Sequence, residues 1–460
     1  RHLIERCMMT INTHWRSCYA ESLPLVGHLT PSLQCGPSFT PKLWQESSGN
    51  ICTGHEFSSI APADETATLH RGGVLRVTTR QVHSMCSCKC VKDSSMSRTP
   101  NFDVTGAWLE GDDPGDRKFI KIGFLLLENG ETLPDITIAY QTWGTLNPDK
   151  SNAILINHAM TGWSDVTGWW PQMVGPGLPF DTDKYFIVCP NVIGGCQGST
   201  GPSSIAPDGK RYGSRFPIIT IRDMVNAEVA FSDALGIDKY LLAVGPSLGG
   251  MRSLEWAVQL PHRVGAICTI GSSAVATGDQ IGTASIQIRA IKNDPHFNNG
   301  DYYEQSRGPV DGMGIARRIA HLTYRTESEM DVRFGRQLQG DDTGRYAVES
   351  YLDHQATKLA KRFDANTYIA LTDAMNSHDI GRDRGGVAAA LEAITVPVVV
   401  VSIDTDRLFP PRLQVEISDL VPTAEAPIVI SSDFGHDGFL VEAEAMGDAI
   451  RHALEVAGTI

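Results

Sequence analysis

The stretch from residue 240 to residue 251 constrains the fold of this chain more than any other part of the sequence. An apolar run leads into Gly245-Pro246-Ser247-Leu248-Gly249, and an amphipathic helical pattern follows it. A serine on a sharp strand-to-helix turn needs small residues two positions before and two positions after it, because the two backbones pass closely there. Gly245 and Gly249 supply them. The stretch therefore predicts a buried strand, a nucleophilic Ser247 and a helix from about residue 249.

The residues on both sides of this turn alternate between strand and helix patterns. Residues 153–158, 185–191 and 264–270 are continuous apolar runs, as in strands that are buried on both faces. Residues 221–235 form an amphipathic helical pattern before the central strand. Strands that alternate with helices predict a mostly parallel sheet, flanked by helices on both sides.

The ends of the pattern complete the predicted sheet. Strands at 120–127 and 135–140 are joined through Asn129-Gly130, a sequence typical of hairpin turns. Residues 396–403 and 427–430 predict two late strands, and residues 440–456 predict a closing helix. Between them, residues 273–389 are rich in helical patterns, for example at 313–324 and 346–360, and are too long for a loop. We interpret this segment as an inserted helical lid.

Composition excludes several classes of protein. The chain has 460 residues and a formal net charge of -14, whereas a nucleic-acid partner requires a basic surface. No apolar run reaches the roughly 18 residues that a membrane helix needs. Only Cys189, Cys196 and Cys268 follow residue 95, which is typical of a reducing compartment. We therefore expect no membrane, no nucleic acid and a cytoplasmic location.

The first part of the chain differs from the rest. Residues 1–95 show no sustained helical or strand periodicity, and Met96 is a plausible start where the composition changes. We expect residues 1–95 to be a disordered or non-native extension. His83 lies near Cys86, Cys88 and Cys90, but this spacing is not that of a common zinc site, so we expect no metal.

Candidates for a catalytic triad follow the strands of the predicted sheet. Asp404 and Asp406 come at the end of strand 396–403, and His436 follows strand 427–430. A serine hydroxyl is a weak nucleophile until an imidazole accepts its proton, and a carboxylate must orient that imidazole. Ser247, His436 and either aspartate fit these roles from the residues alone.

A series of motifs from about residue 117 to the C-terminus resembles the homoserine O-acetyltransferase family, which has the α/β-hydrolase fold. The strand and helix patterns predict a core of residues 96–272 and 390–460 and a helical lid of residues 273–389, and the resemblance implies a homodimer formed through that lid. It rests on Asn157-His158-Ala159-Met160-Thr161-Gly162, Pro190-Asn191-Val192-Ile193-Gly194-Gly195-Cys196, Arg215-Phe216-Pro217, Gly314-Ile315-Ala316-Arg317-Arg318, Leu322-Thr323-Tyr324-Arg325, Asp406-Arg407-Leu408-Phe409-Pro410 and Gly435-His436-Asp437-Gly438.

The family resemblance also implies roles for individual residues. It selects Asp406 rather than Asp404 for the triad with Ser247 and His436. It places the amides that bind the oxyanion at Leu248 and Met160. The acceptor amino acid would be held by a guanidinium and a phenol from the lid and by a carboxylate beside the histidine, namely Arg317, Tyr324 and Asp437.

The expected reaction is a ping-pong transfer of acetyl from acetyl-CoA, a co-substrate rather than a bound cofactor, to L-homoserine in methionine biosynthesis. A succinyl donor and serine as acceptor remain alternatives on the same scaffold. A simple esterase would use the same triad with water, and a catalytically silent binding protein would need no complete triad.

Overall fold

The computed structural model describes residues 101–340 and 343–458, so the predictions for residues 1–95, including the His83 cluster, lie outside the described residues. The predicted α/β class is confirmed. The strands are β1 Lys118–Leu126, β2 Thr132–Trp143, β3 Ala153–Ile156, β4 Val174–Gly175, β5 Phe180–Asp181, β6 Phe186–Pro190, β7 Tyr240–Pro246, β8 Val264–Ile270, β9 Val398–Ile403 and β10 Ile428–Ile430.

Eight of these strands form one sheet in the order β1-β2-β6-β3-β7-β8-β9-β10. The pairs β1/β2 and β2/β6 are antiparallel, while β6, β3, β7, β8, β9 and β10 pair in parallel. The short strands β4 and β5 make a separate pair. Because the carboxyl ends of parallel strands share one edge, the residues after β3, β7, β9 and β10 meet there.

Helices cover both faces of the sheet. They are α1 Val166–Trp169, α2 Ile221–Leu235, α3 Leu248–Gln259, α4 Gly278–Lys292, α5 Val310–Tyr324, α6 Glu327–Arg333, α7 Ala347–Ala360, α8 Ala365–Asn376, α9 Val387–Glu392, α10 Pro411–Leu420, α11 Gly438–Val441 and α12 Ala443–Gly458.

The continuous apolar runs are explained by two separate hydrophobic cores. In β3, Ala153 and Leu155 pack into the core that includes α2 and α3, whereas Ile154 and Ile156 pack into the core on the α12 side. Successive side chains of a strand point to opposite faces, so a strand between two helical layers must be apolar at every position. This arrangement fixes β3 and β7 at the centre of the sheet.

The lid comprises α4 to α9, which lie between β8 and β9 in the chain. Three of its helices begin at side-chain caps: Thr277 caps α4, Thr326 caps α6 and Asp364 caps α8. Such caps satisfy amides that have no partner inside a helix. The exact domain boundaries of residues 96–272, 273–389 and 390–460 stay predictions.

The closing helix differs from its prediction. Instead of one helix over 440–456, α11 and α12 are separated at Glu442, whose backbone leaves helical geometry. The Glu442 carboxylate accepts a hydrogen bond from Ser432 Oγ at 2.8 Å, which ties this break to the loop before His436. The sequence also gave no prediction for α1, β4 or β5. In the described ranges, no helix combines the length and apolarity needed to cross a bilayer.

Candidate active site

Ser247 sits on a strained turn between β7 and α3. Its φ is 56° and its ψ is -121°, a conformation that costs a non-glycine residue about 1–3 kcal/mol. A Cβ at Gly245 would lie 2.4 Å from the carbonyl oxygen of Asn157, and a Cβ at Gly249 would lie 1.9 Å from the same atom. Glycine is therefore required at both positions, because any side chain there would collide with the end of β3.

Hydrogen bonds hold this turn in place. The Ser247 amide donates to the Ile270 carbonyl at 2.9 Å, and Ser272 Oγ donates to the Ser247 carbonyl at 2.9 Å. The neighbouring strand β8 thus fixes the serine backbone on both sides. The Ser247 side chain is left directed toward a cavity at the carboxyl edge of the sheet.

The structure places Asp406, and not Asp404, against His436. Asp406 Oδ2 lies 2.6 Å from His436 Nδ1, and Asp406 Oδ1 accepts the amides of Leu408 and Phe409, both at 2.8 Å. Asp404 is exposed and accepts the Ser432 amide at 3.0 Å. Asp404 therefore ties β9 to the loop after β10, while Asp406 orients the imidazole.

The surroundings of His436 favour its role as a base. Burial opposes protonation of the ring, but the charge and hydrogen bond of Asp406, with the charge of Asp437, outweigh it and hold the pKa of His436 above its ordinary value. Phe409 stacks on the ring with centroids 5.2 Å apart. With Nδ1 bonded to Asp406, the ring presents Nε2 as the nitrogen for proton transfer.

One cavity of about 460 Å³ brings the predicted residues together. It is lined by Ser247, His436, Met160, Arg317, Tyr324 and Asp437, together with other lid residues. Ser247 Oγ makes no hydrogen bond to another residue of the described ranges. The contact between a catalytic hydroxyl and its base often tightens only when substrate is present. Leu248 lies behind the cavity as the first residue of α3.

The two amides predicted to bind the oxyanion are available. Neither the Leu248 amide nor the Met160 amide donates a hydrogen bond to an acceptor within residues 101–340 or 343–458. An amide with no internal acceptor at a helix start suits a developing negative charge. The geometry is compatible with the predicted oxyanion role of these amides, which stays a prediction.

The loop that carries Met160 is held by a buried network that the sequence did not reveal. His158 Nδ1 donates to the Ala159 carbonyl at 2.7 Å, and His158 Nε2 accepts the Val192 amide at 3.1 Å. Burial and the nearby Arg252 lower the pKa of His158 to about 3, so the ring is neutral. Arg252 donates to the His158 carbonyl at 2.6 Å. This network fixes the start of the loop.

Arg317 brings an unpaired charge to the opposite wall of the cavity. It is only 8% exposed, and its Nε and Nη1 atoms are buried without a hydrogen-bond partner in the part of the chain that the structure describes. Its guanidinium carbon lies 5.5 Å from the centre of the Tyr324 ring. Burying a cation without an anion is costly, so this arrangement favours an anionic ligand.

Asp437 has a partner that the sequence reasoning did not assign. Arg325 Nη1 lies 3.4 Å from Asp437, and Arg325 also donates to both carboxylate oxygens of Glu329, at 2.6 and 3.2 Å. Arg325 belongs to the same motif as Tyr324, and this motif was the sequence signal that could have identified Arg325 as a residue of the site. Asp437 is thus held in place by a lid arginine while its side chain still reaches the cavity.

Arg362 is a further cavity residue that the sequence reasoning missed. It donates to the Thr161 carbonyl at 2.6 Å and its guanidinium lies 5.0 Å from the centre of the Trp163 ring. Burial and the charge of Arg317 lower its pKa to about 10. Arg325, Arg333 and Lys358 also line the cavity, so cations outnumber the single carboxylate of Asp437. Only the tertiary fold brings these residues together.

Among the described residues, no group of three or more histidine, cysteine, aspartate or glutamate side chains is arranged to hold a metal ion. The three described cysteines, Cys189, Cys196 and Cys268, are buried thiols.

Comparisons with known proteins agree with this geometry. A family model described as the alpha/beta hydrolase fold matches residues 152–443. The chain is 52% identical over 376 residues to homoserine O-acetyltransferase of Thermobifida fusca strain YX, covering 78% of this chain and 99% of that protein. It is 50% identical over 377 residues to the homoserine O-acetyltransferase of Nocardia farcinica, covering 79% and 99%.

Solved structures show the same similarity at greater distance. Homoserine O-acetyltransferase from Bacillus anthracis matches with a TM-score of 0.69 at 26% identity, covering 74% of this chain and 97% of that one. An acetylester hydrolase from Corynebacterium glutamicum matches with a TM-score of 0.66 at 29% identity and the same coverage. One fold is thus shared by proteins named as acyltransferases and as ester hydrolases.

Proposed function

The chain belongs to the homoserine O-acetyltransferase family of the α/β-hydrolase fold, and from that membership we propose that it transfers an acetyl group from acetyl-CoA to the side-chain hydroxyl of L-homoserine. The product is O-acetyl-L-homoserine, and the place of the reaction is methionine biosynthesis. The observation that carries the proposal is the buried Arg317 guanidinium in the cavity of Ser247 and His436, two of whose nitrogens have no hydrogen-bond partner among the described residues.

In the first half-reaction, Ser247 Oγ attacks the thioester carbonyl carbon while His436 accepts the serine proton. The carbon–sulfur bond breaks, the proton passes from His436 to the CoA thiolate, and an acetyl ester remains on Ser247. Asp406 stabilises the transient imidazolium through its bond to Nδ1. The amides of Leu248 and Met160 bind the oxygen on which negative charge develops.

In the second half-reaction, the homoserine hydroxyl gives its proton to His436 and attacks the ester carbon. The bond from carbon to Ser247 Oγ breaks, and His436 returns the proton to the serine. Water competes at about 55 M, so the acceptor must be held in a near-attack position. Arg317 binds the α-carboxylate, with Tyr324 beside it, and Asp437 binds the α-ammonium. Each of these two contacts joins groups of opposite charge.

The acceptor contacts distinguish a transferase from an ester hydrolase. A hydrolase needs the triad and the oxyanion amides, but it has no need for a buried guanidinium that lacks an anion. Leaving such a group uncompensated costs several kcal/mol. A role in binding the carboxylate of the acceptor explains why Arg317 is placed in the cavity and not at the surface.

We propose a homodimer through the lid and a cytoplasmic location as parts of the same function. The lid helices expose large apolar side chains: Ile281 and Ile286 on α4, and Ile315 and Leu322 on α5. An exposed apolar face is typical of a protein interface. Sedimentation of the protein with Ile315→Asp and Leu322→Asp should show a shift toward monomer. Unchanged sedimentation would exclude this face as the interface.

The proposed activity is tested by mass spectrometry of the products formed from four substrate pairs. The protein is mixed with homoserine or serine and with acetyl-CoA or succinyl-CoA. We expect O-acetylhomoserine as the main product. Acetate without an acetylated amino acid would instead identify an esterase, and an O-succinyl product or acetylserine would identify one of the alternative substrates.

A further inference from the structure

A second, smaller cavity lies directly beside the active-site cavity. The two share Met160, Tyr324, Met375 and Leu408 as a common wall. The remaining lining comes mainly from α4, α8 and the start of α3, and includes Met251, Ala284, Tyr368, Thr372 and Phe409. We call the space bounded by these residues the acyl chamber.

The acyl chamber lies close to the reacting atoms. Met251 lies one turn after the nucleophile, and its amide donates to the Ser247 carbonyl at 3.2 Å. Phe409 stacks on the His436 ring, and Met160 carries one of the two oxyanion amides. Ser247 and His436 line the larger cavity and not the chamber, so the chamber lies one layer of side chains away from a group attached to Ser247.

The lining of the chamber is uncharged. None of the described residues that line it is Asp, Glu, Lys, Arg or His. Its glutamines are already bonded within the protein: Gln287 Oε1 accepts from the Tyr368 hydroxyl at 3.0 Å, and Gln280 Nε2 donates to the Leu408 carbonyl at 2.8 Å. A hydrocarbon would gain from burial here, whereas a carboxylate would lose its water without gaining a cation.

The size of the chamber limits the length of its occupant. Its volume is about 60 Å³. A cavity needs roughly 10–15 Å³ to hold one water molecule, so this space is more than a single water requires and suits a chain of a few carbon atoms. The thioether side chains of Met160, Met251 and Met375 can adapt to fill what a short chain leaves empty.

We propose that the acyl chamber binds the hydrocarbon tail of short, straight acyl groups, so that the enzyme accepts propionyl-CoA and butyryl-CoA besides acetyl-CoA and rejects succinyl-CoA. This inference rests on the proposed function. The bonds made and broken are those of acetyl transfer, since only the substituent on the carbonyl carbon changes. The chamber, and not the cationic cavity with Arg317, then determines donor choice.

The experiment measures acylation of Ser247 and transfer to homoserine separately for acetyl-, propionyl-, butyryl- and succinyl-CoA. Acylation is measured from the intact mass of the protein without homoserine, and transfer from the acylated product. Ala284→Val and Ala284→Leu fill the chamber in two steps from α4. Ala388→Leu makes the same chemical change on the exposed side of α9 and serves as the control.

We expect the unaltered protein to be acylated by the three donors with uncharged acyl groups and not by succinyl-CoA. Filling the chamber should reduce use of butyryl-CoA first and propionyl-CoA next, by roughly tenfold or more per step, with acetyl-CoA least affected, because a methylene in an apolar pocket is worth 10–200-fold in selectivity. Ala388→Leu should leave all donors unchanged.

Two results would contradict the proposal that the acyl chamber binds the acyl tail. One is use of succinyl-CoA as good as that of butyryl-CoA, which would place the acyl group toward Arg317. The other is an equal loss of all donors in Ala284→Val, the milder variant. Failure of the proposed function would look different: Ser247 would still be acylated with the expected preference, but the acyl group would pass to water and not to homoserine.

Discussion

The two ends of the active-site cavity are built in opposite ways. At the sheet end, Asp406 uses both of its oxygens and His436 Nδ1 is bonded, so the base and its orienting carboxylate are held by protein partners. At the lid end, Arg317 keeps two buried nitrogens without partners in the described residues. The first arrangement fixes groups that act on any acyl donor, and the second leaves an incomplete site that only a suitable ligand completes.

This difference suggests a division of labour between the two parts of the fold. Strand ends are rigid, which suits a serine and a base that must be held within a fraction of an ångström. Helices of an inserted segment can carry binding groups without disturbing that geometry. The catalytic end should therefore govern whether any acyl transfer occurs, and the lid end should govern which acceptor receives the group.

The largest expected effect comes from removing the nucleophile at the sheet end. Ser247→Ala should lower kcat by roughly a millionfold, as expected when a triad loses its serine. No covalent acetyl-protein should be trapped after mixing with acetyl-CoA, because no other group in the cavity occupies the strained turn. Intact-protein mass spectrometry measures this. An acetylated Ser247→Ala protein with normal turnover would show that Ser247 is not the nucleophile, and the catalytic role of the sheet end would have to be withdrawn.

A smaller but still large effect should separate the two aspartates. Asp406→Asn should lower kcat about 10⁴-fold. The one oxygen of the new amide is needed by the Leu408 and Phe409 amides, so its NH2 group would face His436 Nδ1 and favour the wrong tautomer of the imidazole. Asp404→Asn is the matched control at the end of the same strand. The oxygen of the new amide can still accept from the Ser432 amide, so this variant should keep activity within about tenfold, since weakening one such hydrogen bond costs about 1 kcal/mol. If Asp404→Asn is the more damaging change, the orienting carboxylate has been misassigned.

Much of the sheet end was predictable from sequence because its signals are local. Gly245, Ser247 and Gly249 share one turn, and the apolar runs around them reveal strands by their own composition. The break at Glu442 was not predictable, because nothing in the local helical pattern marks it, and the bond to Ser432 that accompanies it is a tertiary contact. The residues alone left Asp404 and Asp406 as equal candidates, and the family resemblance was needed to choose between them.

The lid end was less predictable for the same physical reason. Arg317 and Tyr324 were named through the resemblance, and nothing in their helical spacing shows that a guanidinium is buried without an anion. Arg362 and the Arg325–Asp437 pair escaped prediction, because Arg362 contacts Thr161 in the loop after β3 and Arg325 contacts a residue beyond β10, both far away in the chain. Long-range contacts between charged side chains leave no periodic pattern in a sequence.

Removing the Arg317 side chain from the lid end should have an intermediate effect. Arg317→Ala should leave acylation by acetyl-CoA nearly unchanged and lower kcat/KM for homoserine by about 2–3 kcal/mol, the value of a lost charge-assisted contact, or roughly 30- to 150-fold. Rapid-quench measurement of each half-reaction checks this. Arg318→Ala is the control, since Arg318 pairs with Asp353 away from the cavity.

The outcome that contradicts this assignment is equal slowing of both half-reactions in Arg317→Ala. In that case Arg317 would serve the donor or the fold, and the distinction between the two ends would fail. Slow loss of the acetyl group to water, with acylation intact, would support it, because the ester would form without an acceptor held in place.

The smallest expected effect lies where the two ends meet, at Asp437. His436 must be neutral to accept a proton, so the rate of acylation should fall as the pH decreases through the pKa of His436, which lies above its ordinary value of 6.5. Burial opposes that rise, Asp406 causes most of it, and the charge of Asp437 adds to it. Asp437→Asn removes a negative charge that favours the imidazolium. The pKa should therefore decrease, and the acidic limb of the acylation rate should move to lower pH.

Measuring acylation without homoserine separates this effect from the loss of a contact to the acceptor ammonium. Asp433→Asn, a change at an exposed carboxylate nearby, should leave the limb in place. A limb that stays fixed or moves to higher pH in Asp437→Asn would show that Asp437 acts on the acceptor and Arg325 alone, and that the electrostatics of the base are determined wholly at the sheet end.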